Sequence, residues 1–350
     1  MVEMLGRMRH RLRLPVMDAL AGLLDGPRAR NAFLIRAVLD PPWSLRIQDE
    51  APLCLVAVVR GDAWMVPDGG PPVHLDRGDV MVTVGPAPYT VADHPSTPPH
   101  VVIHPGERCT TPDGRSLTDE MTLGVRTWGT NPDGRVLMLV GTYQMRGEVS
   151  RRLLSVLPPL LVLPAGGLDS PLVPLLNTEL VKDEPGQEAV LDRLLDLLLI
   201  AVLRAWFARP DAGTPAWYRA HSDPVVGRAL RMIHNNPGHP WTVASLAAGT
   251  GVSRAALARR FTELVGEPPM RFLTGWRLAM AADLLREPDA TLGSVARRVG
   301  YGSAFALSAA FKRERGVSPQ EYRNRPAEVV LPSPLRDDLA RVVWLAEASG

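Results

Sequence analysis

Two stretches near the C-terminus of this chain repeat one another. The first, TVASLAAGTGVSRAALARRFTELVGEPP, runs from Thr242 to Pro269, and the second, TLGSVARRVGYGSAFALSAAFKRERGVSP, from Thr291 to Pro319. Thr242, Ser245, Ala247 and Gly251 match Thr291, Ser294, Ala296 and Gly300. After one extra residue in the second turn, Leu257, Phe261, Gly266 and Pro269 match Leu307, Phe311, Gly316 and Pro319. A period of roughly fifty residues suits a solenoid, but two copies point to two small modules instead.

Each copy has the form of a helix-turn-helix. Thr242 and Thr291 are suited to cap a short helix, because a hydroxyl accepts from its unpaired backbone N–H groups. Leu246 and Ala247, like Val295 and Ala296, give that helix an apolar side. Gly251 and Gly300 permit the tight turn, and a second helix then runs from Ser253 or Ser303 to about Gly266 or Gly316. In DNA-binding versions this second helix enters the major groove. On the copy beginning at Ser303, Leu307 and Phe311 lie beside Ala304 and Ala310 on a face built for burial. Phe305, Ala309, Lys312 and Arg313 lie on the other. Between the copies, Phe272, Leu273, Trp276 and Leu284 recur at helical spacing. A helix over 270–286 would span about 25 Å. It would present the two second helices to successive major grooves, about 34 Å apart.

Charge follows the same division. Residues 222–325 carry 15 Arg and Lys against 8 Asp and Glu, whereas residues 17–221 carry 18 against 24. A basic C-terminal third behind an acidic body predicts that one part meets a polyanion. Codon bias alone would also enrich arginine, and only Lys182 and Lys312 are lysines.

The preceding region reads differently. LCLVAVV (53–59), DVMVTV (79–84) and RVLMLVGTY (135–143) predict strands, separated by turns such as PDGG and NPDG. Closely spaced strands without long helices predict a small antiparallel barrel or sandwich. Helices are expected at 148–158, 170–184 and 187–209; the last is apolar on more than one face and has two sides to bury. One suits the barrel. For the other, a second subunit and the domain's own core both remain open. The basic start has no continuous apolar core, so it does not read as a secretory signal. Met17 is a second candidate start, which would leave residues 1–16 outside the native chain. The longest apolar run is too short and too interrupted for a membrane span, so a soluble, cytoplasmic protein is expected.

The motifs WTVASLA, VSRAALARRFTELVGEPP and VGYGSAFALSAAFKRERGVSPQEYR make residues 224–325 closely resemble the AraC/XylS family of bacterial transcription regulators. PPWSLRI, VVRGDAWMVPDGG, LDRGDV and the stretch to WFARP more loosely resemble the cupin-type sensor domain of one branch of that family. The expected fold class is therefore α+β and multidomain. A cupin-like antiparallel β-barrel with following helices precedes an all-α domain with two helix-turn-helix motifs. Residues 1–31 form an extension and first helix, 32–209 the sensor and dimerisation domain, 210–223 a linker, 224–325 the DNA-binding domain and 326–350 a tail with one more helix. The resemblance implies a homodimer, for which the 187–209 helix is the expected pairing element; no P-loop, GxSxG or HExxH motif appears, so an enzyme is not expected. Its partners would be double-stranded promoter DNA, a small-molecule effector, and RNA polymerase where it activates.

The resemblance also assigns base-contacting positions. On the first second-helix these are Ala255, Ala258 and Arg259, with Arg254 and Arg260 nearby. Arg259 is suited to pair bidentately with guanine, and Arg254 to meet phosphate. Arg260 serves equally as a solubilising charge. On the other they are Phe305, Ser308 and Ala309, next to the capping Ser303. The family commonly places arginine where Ala309 stands. Lys312 and Arg313 would then act through phosphate, and Phe305 through a thymine methyl unless partly buried.

No histidine stands on CLVAVVRGD, where cupin enzymes usually carry a His-x-His pair, and His74, His94, His100 and His104 are dispersed. No metal and no cofactor are expected. Trp43, Cys54, Trp64, Met65 and Tyr89 are candidate linings of an effector cavity. Cys54, in an apolar strand, is expected inert; Cys109, between Arg108 and two threonines, is expected exposed and slightly activated, a candidate redox thiol. A cupin-like metalloenzyme with a DNA-binding appendage, a thiol-based redox regulator, and an architectural DNA binder with little sequence preference are the competing readings.

Overall fold

A computed structural model describes residues 33–106, 108–117, 119–143, 147–209 and 214–325. The expected first helix and C-terminal tail helix lie outside the described residues. The chain divides into two units, one ending at Thr214 and the other covering Pro215–Arg323.

In the first unit the strands form two sheets. One contains β1 (Phe33–Leu39), β3 (Leu53–Arg60), β6 (Val80–Val84), β10 (Thr122–Gly124), β11 (Thr127–Gly129), β12 (Val136–Tyr143) and β13 (Leu160–Leu163), in the order β10-β11-β1-β12-β3-β6-β13. The other contains β2 (Ser44–Ile47), β4 (Ala63–Pro67), β5 (Val73–Leu75), β7 (Tyr89–Ala92), β8 (Val101–Ile103) and β9 (Cys109–Thr110), ordered β5-β4-β7-β2-β8-β9. The expected antiparallel barrel is replaced by two open sheets. Closure needs hydrogen bonding to continue round the wall, whereas here each sheet ends at its own edges. Two pairings, β1 with β11 and β2 with β8, are parallel. Strand β13 was not anticipated: its apolar run between prolines pairs with β6 and extends the sheet.

Three helices follow or interrupt these strands: α1 (Glu148–Leu154), α2 (Leu172–Leu180) and α3 (Gln187–Phe207). Helix α3 lies on β12. Leu195 approaches Gly141 so closely that a Cβ there would come within 2.7 Å of it. The Tyr143 hydroxyl donates to the Leu195 carbonyl at 2.8 Å. Leu191, Leu194, Leu198, Val202 and Leu203 are buried, while Val190 and Leu197, farther round the helix, are exposed.

The second unit is helical: α4 (Ala216–Arg219), α5 (Val226–Asn235), α6 (Val243–Thr250), α7 (Arg254–Val265), α8 (Pro269–Leu284), α9 (Leu292–Arg298), α10 (Ala304–Arg315) and α11 (Pro319–Asn324). Within the stretch expected as a linker, residues 216–222 fold into α4 and a 3-10 turn that belong to this unit. Helix α8 is apolar along much of its surface, burying Phe272, Leu273, Trp276, Leu278, Ala279, Ala281 and Ala282. Its Leu278 and Leu285 just beyond it pack with Val295, Leu307 and Phe311 of the second repeat.

Candidate DNA-reading surface and sensor cavity

Both repeats close on the same local chemistry. The Thr242 hydroxyl accepts from the Ser245 N–H at 3.0 Å, and the Ser245 hydroxyl accepts from the Thr242 N–H at 2.9 Å. Thr291 and Ser294 repeat this reciprocal cap, each bond 3.1 Å. Ser253 and Ser303 cap α7 and α10 by accepting from the Ala256 and Ala306 N–H groups, both at 3.1 Å. Such a cap contributes about 1 kcal/mol. Gly251 and Gly300 adopt left-handed backbone, with φ of 77° and 81°, where a side chain is strained.

Gly300 has a second reason to be glycine. A Cβ there would lie 2.5 Å from the Gly238 carbonyl oxygen and 2.8 Å from the Arg277 guanidinium. Arg277, on α8, donates to the carbonyls of Pro237 at 2.7 Å and His239 at 2.6 Å. The loop ahead of α6 is thereby held between α8 and the turn of the second repeat. Arg323 completes the frame by donating to the Leu285 and Ala290 carbonyls beyond the other end of α8.

The inner faces of α7 and α10 are alike. Leu257, Phe261, Leu307 and Phe311 are fully buried, with Phe261 edge-on to Phe272 and Phe311 edge-on to Tyr322. The outer faces are not. On α7, Arg254, Ala255, Arg259 and Arg260 are exposed and Ala258 is half-buried. On and just before α10, Ser303, Phe305, Ala309, Lys312 and Arg313 are exposed and Ser308 is half-buried. Phe305 is 83% exposed, which excludes it from the core of this unit.

Arg260 has a charged partner within the chain. Its Nε and Nη2 donate to Asp223 Oδ2 at 2.9 and 2.6 Å, while Asp223 Oδ1 accepts from the Val225 and Val226 N–H groups. Burial alone would raise the Asp223 carboxyl. The Val226 N–H and the Arg260 guanidinium outweigh it and hold the carboxyl below its ordinary value. Arg260 therefore has an intramolecular partner at the start of α5.

The first unit contains a cavity of about 420 Å³ between its sheets. Of the expected linings, Cys54 and Tyr89 reach it; Trp43 and Met65 are buried in the surrounding core instead, and Trp64 packs against His74 with rings tilted by 45° and centroids 4.6 Å apart. The expectation of an exposed Cys109 is corrected. It pairs opposite Ile103 in the β8–β9 ladder, is buried, and lines the same cavity. Burial, with Asp49 nearby, pushes the Cys54 thiol up to about 12, so it holds its proton at neutral pH. Neither cysteine forms a disulfide. Sequence reasoning missed Asp49, His104, Arg126 and Trp128 in the lining. It also missed the inward rows on β1 and β12, because Leu34 and Leu139 on the opposite faces leave no clean apolar–polar alternation to read.

The histidines go separate ways. His74 meets Asp62 at 2.9 Å, His94 meets Ser96 at 2.7 Å, His104 meets Thr110 at 3.0 Å, and His100 is exposed. Among the described residues no group of three or more His, Cys, Asp or Glu side chains could hold a metal ion. Nor is any described helix long and apolar enough to cross a membrane.

Comparison with known proteins bears on both units. A family model described as a cupin matches residues 18–208, and one described as a helix-turn-helix domain matches residues 246–325. A putative AraC-like transcription regulator of Streptomyces lividans is 32% identical over 318 residues, covering 89% of this chain and 99% of its own length. The chain belongs to the AraC-like transcription regulators. A second such regulator, from Streptomyces antibioticus, is also 32% identical, over 315 residues and 99% of its length. The HTH-type transcriptional regulator MtrA of Neisseria gonorrhoeae is 28% identical over 319 residues, 88% of this chain and 98% of its own. This AraC-like regulator joins a cupin-type N-terminal region to a helix-turn-helix DNA-binding region.

Proposed function

We propose that this regulator reads promoter DNA with two unequal helix-turn-helix units and responds to a small molecule held between its sheets. The observation that carries the reading is a contrast: α7 and α10 share caps and buried faces, yet only α7 presents an arginine, Arg259, at one of the base-contacting positions the resemblance assigns, with Arg254 nearby. Arg259 reads a guanine through its O6 and N7, and Arg254 meets phosphate. Phe305 lies against a thymine methyl, Ala255, Ala258, Ser308 and Ala309 allow close approach to the bases, and Lys312 and Arg313 anchor through phosphate. Helix α8, about 24 Å long at 1.5 Å per residue, with the Arg277 contacts, would set the spacing between the two reading helices.

Residues 32–209 are read as the sensor and 224–325 as the reader. Occupancy of the cavity shifts the population of DNA-competent states. The apolar positions Val190 and Leu197, outside the face that α3 buries, suit pairing of two copies, which a palindromic operator would require. Footprinting on the protein's own promoter region, with competitor DNA present, tests the reading. A discrete site that loses definition with Arg259→Ala supports it. Diffuse coverage would favour an architectural binder instead.

A further inference from the structure

The lining of the cavity changes character along its length. In one sheet, Phe33, Thr142, Cys54 and Thr83 stand in one register row across β1, β12, β3 and β6. Two residues farther along each strand the row becomes Ile35, Val140 and Val56, and then Ala37 and Met138. The facing sheet runs the same way: Ile47 aligns with Tyr89 and Ile103, and Leu45 with Val91. Asp49 lies two residues beyond Ile47, close enough to Cys54 and Tyr89 for its charge to raise both. One end of the cavity is thus polar, with Asp49, Tyr89, Cys54 and Thr142; the rows beyond it on these strands are aliphatic, while Thr122, Arg126, Thr127 and Trp128 of the β10–β11 edge line the cavity as well.

Two lining side chains are of ordinarily charged types, Asp49 and Arg126; burial raises the Asp49 carboxyl, and a cation beside it would favour the ionised form. Arg126 sits between β10 and β11, and its Nη1 donates to the Lys182 carbonyl at 3.3 Å, so part of its hydrogen-bonding capacity is used on another segment. Asp49 is engaged by a backbone group, the Ala51 N–H at 3.2 Å, and no described cation is paired with it by contact. A ligand charge at the polar end would therefore meet a carboxylate beside a tyrosine ring. An anion there would face repulsion in a medium that screens poorly. A cation would gain the carboxylate and the ring face together.

We propose that the cavity takes an amphiphilic organic cation, with its apolar body along the valine and isoleucine rows and its protonated amine or quaternary ammonium against Asp49 and Tyr89. This rests on the sensor reading above and narrows it to a ligand class. The volume, about 420 Å³, lies within the range of small-molecule pockets. The mostly aliphatic wall supplies affinity without fixing identity, so charge sign and apolar length are what the site would select.

The test is calorimetric titration of the full chain with decyltrimethylammonium, decanoate and decanol, each below its micelle-forming concentration. Decyltrimethylammonium is expected to bind at least about tenfold more tightly than decanoate. Asp49→Asn, whose amide oxygen can still accept from Ala51, is expected to lose that preference while keeping decanol binding, which also shows that the variant is folded. Val140→Trp, filling the aliphatic part, should abolish binding of all three with the melting temperature retained. Preference for decanoate overturns the ligand class and leaves the cavity as a sensor of something else, and a cation preference that survives in Asp49→Asn overturns the placement of the charge against Asp49. Failure of the wild-type chain to bind any probe overturns the sensor reading along with it.

Discussion

The two repeats differ most where the fold constrains them least. Their caps, turns and buried pairs correspond residue for residue: Thr242 with Thr291, Gly251 with Gly300, Leu257 with Leu307, Phe261 with Phe311. The exposed positions do not. Arg259 stands where the second copy has Ala309, and Phe305 projects where the first copy has Ala255. An internal repeat keeps what its own core requires and leaves its solvent face free to diverge, so that divergence is where the division of labour between the units would be written.

The largest expected effect tests the shared part. Phe261→Ala and Phe311→Ala each remove a fully buried ring and should cost about 3–5 kcal/mol in urea or thermal unfolding. Because Arg277 and the loop at 237–239 join the repeats, both variants should lower a single transition rather than split it. Two separated transitions would show that the units fold independently.

Next comes the divergent part. Arg259→Ala should weaken operator binding by about 1–3 kcal/mol and relax preference at one base pair. Binding-site selection on randomised DNA measures it. If Arg259→Ala leaves sequence preference intact while Phe305→Ala abolishes it, the roles of the two units are reversed. Lys312→Ala and Arg313→Ala should weaken binding to all sequences alike, each reducing the slope of log K against log salt by about 1. An unchanged slope would remove these residues from the phosphate contacts.

The smallest effect separates Arg260 from its neighbour. Arg260→Ala should lower stability modestly, since its guanidinium is about half exposed, and leave base preference unchanged. Its pH signature has a definite sign. Asp223 is held below its ordinary value in the folded chain, so its contribution is full above the unfolded-state carboxylate range. It fades as pH falls through the lowered folded value. Acid unfolding followed by circular dichroism should begin at higher pH in Arg260→Ala than in the wild type. Coincident curves would show that the pair contributes nothing measurable.

Much of the reader was legible from residue order because its determinants are local. A capping threonine, a glycine at the turn and apolar residues four apart act within one or two turns of helix, so their spacing alone located α6, α7, α9 and α10. Arg260 was not legible: its partner lies 37 residues away, and nothing beside it in sequence marks it off from Arg259. The cupin-type unit was less legible still. Short apolar runs rich in β-branched residues between turns identified β3, β6 and β12, but whether the strands close, which ones run parallel, and that β13 joins an edge are questions of pairing between distant segments.

Residue order by itself therefore determined the helical reader, its two-fold internal repeat and the asymmetry of its outer faces, because helix formation and capping are decided by near neighbours. Tertiary structure alone decided that the sheets stay open, that Cys109 turns inward, and that Asp49, Tyr89 and Cys54 meet at one end of a cavity. Each of those outcomes depends on register between strands far apart in the chain, and a shift of one residue would turn every one of those side chains to the opposite face.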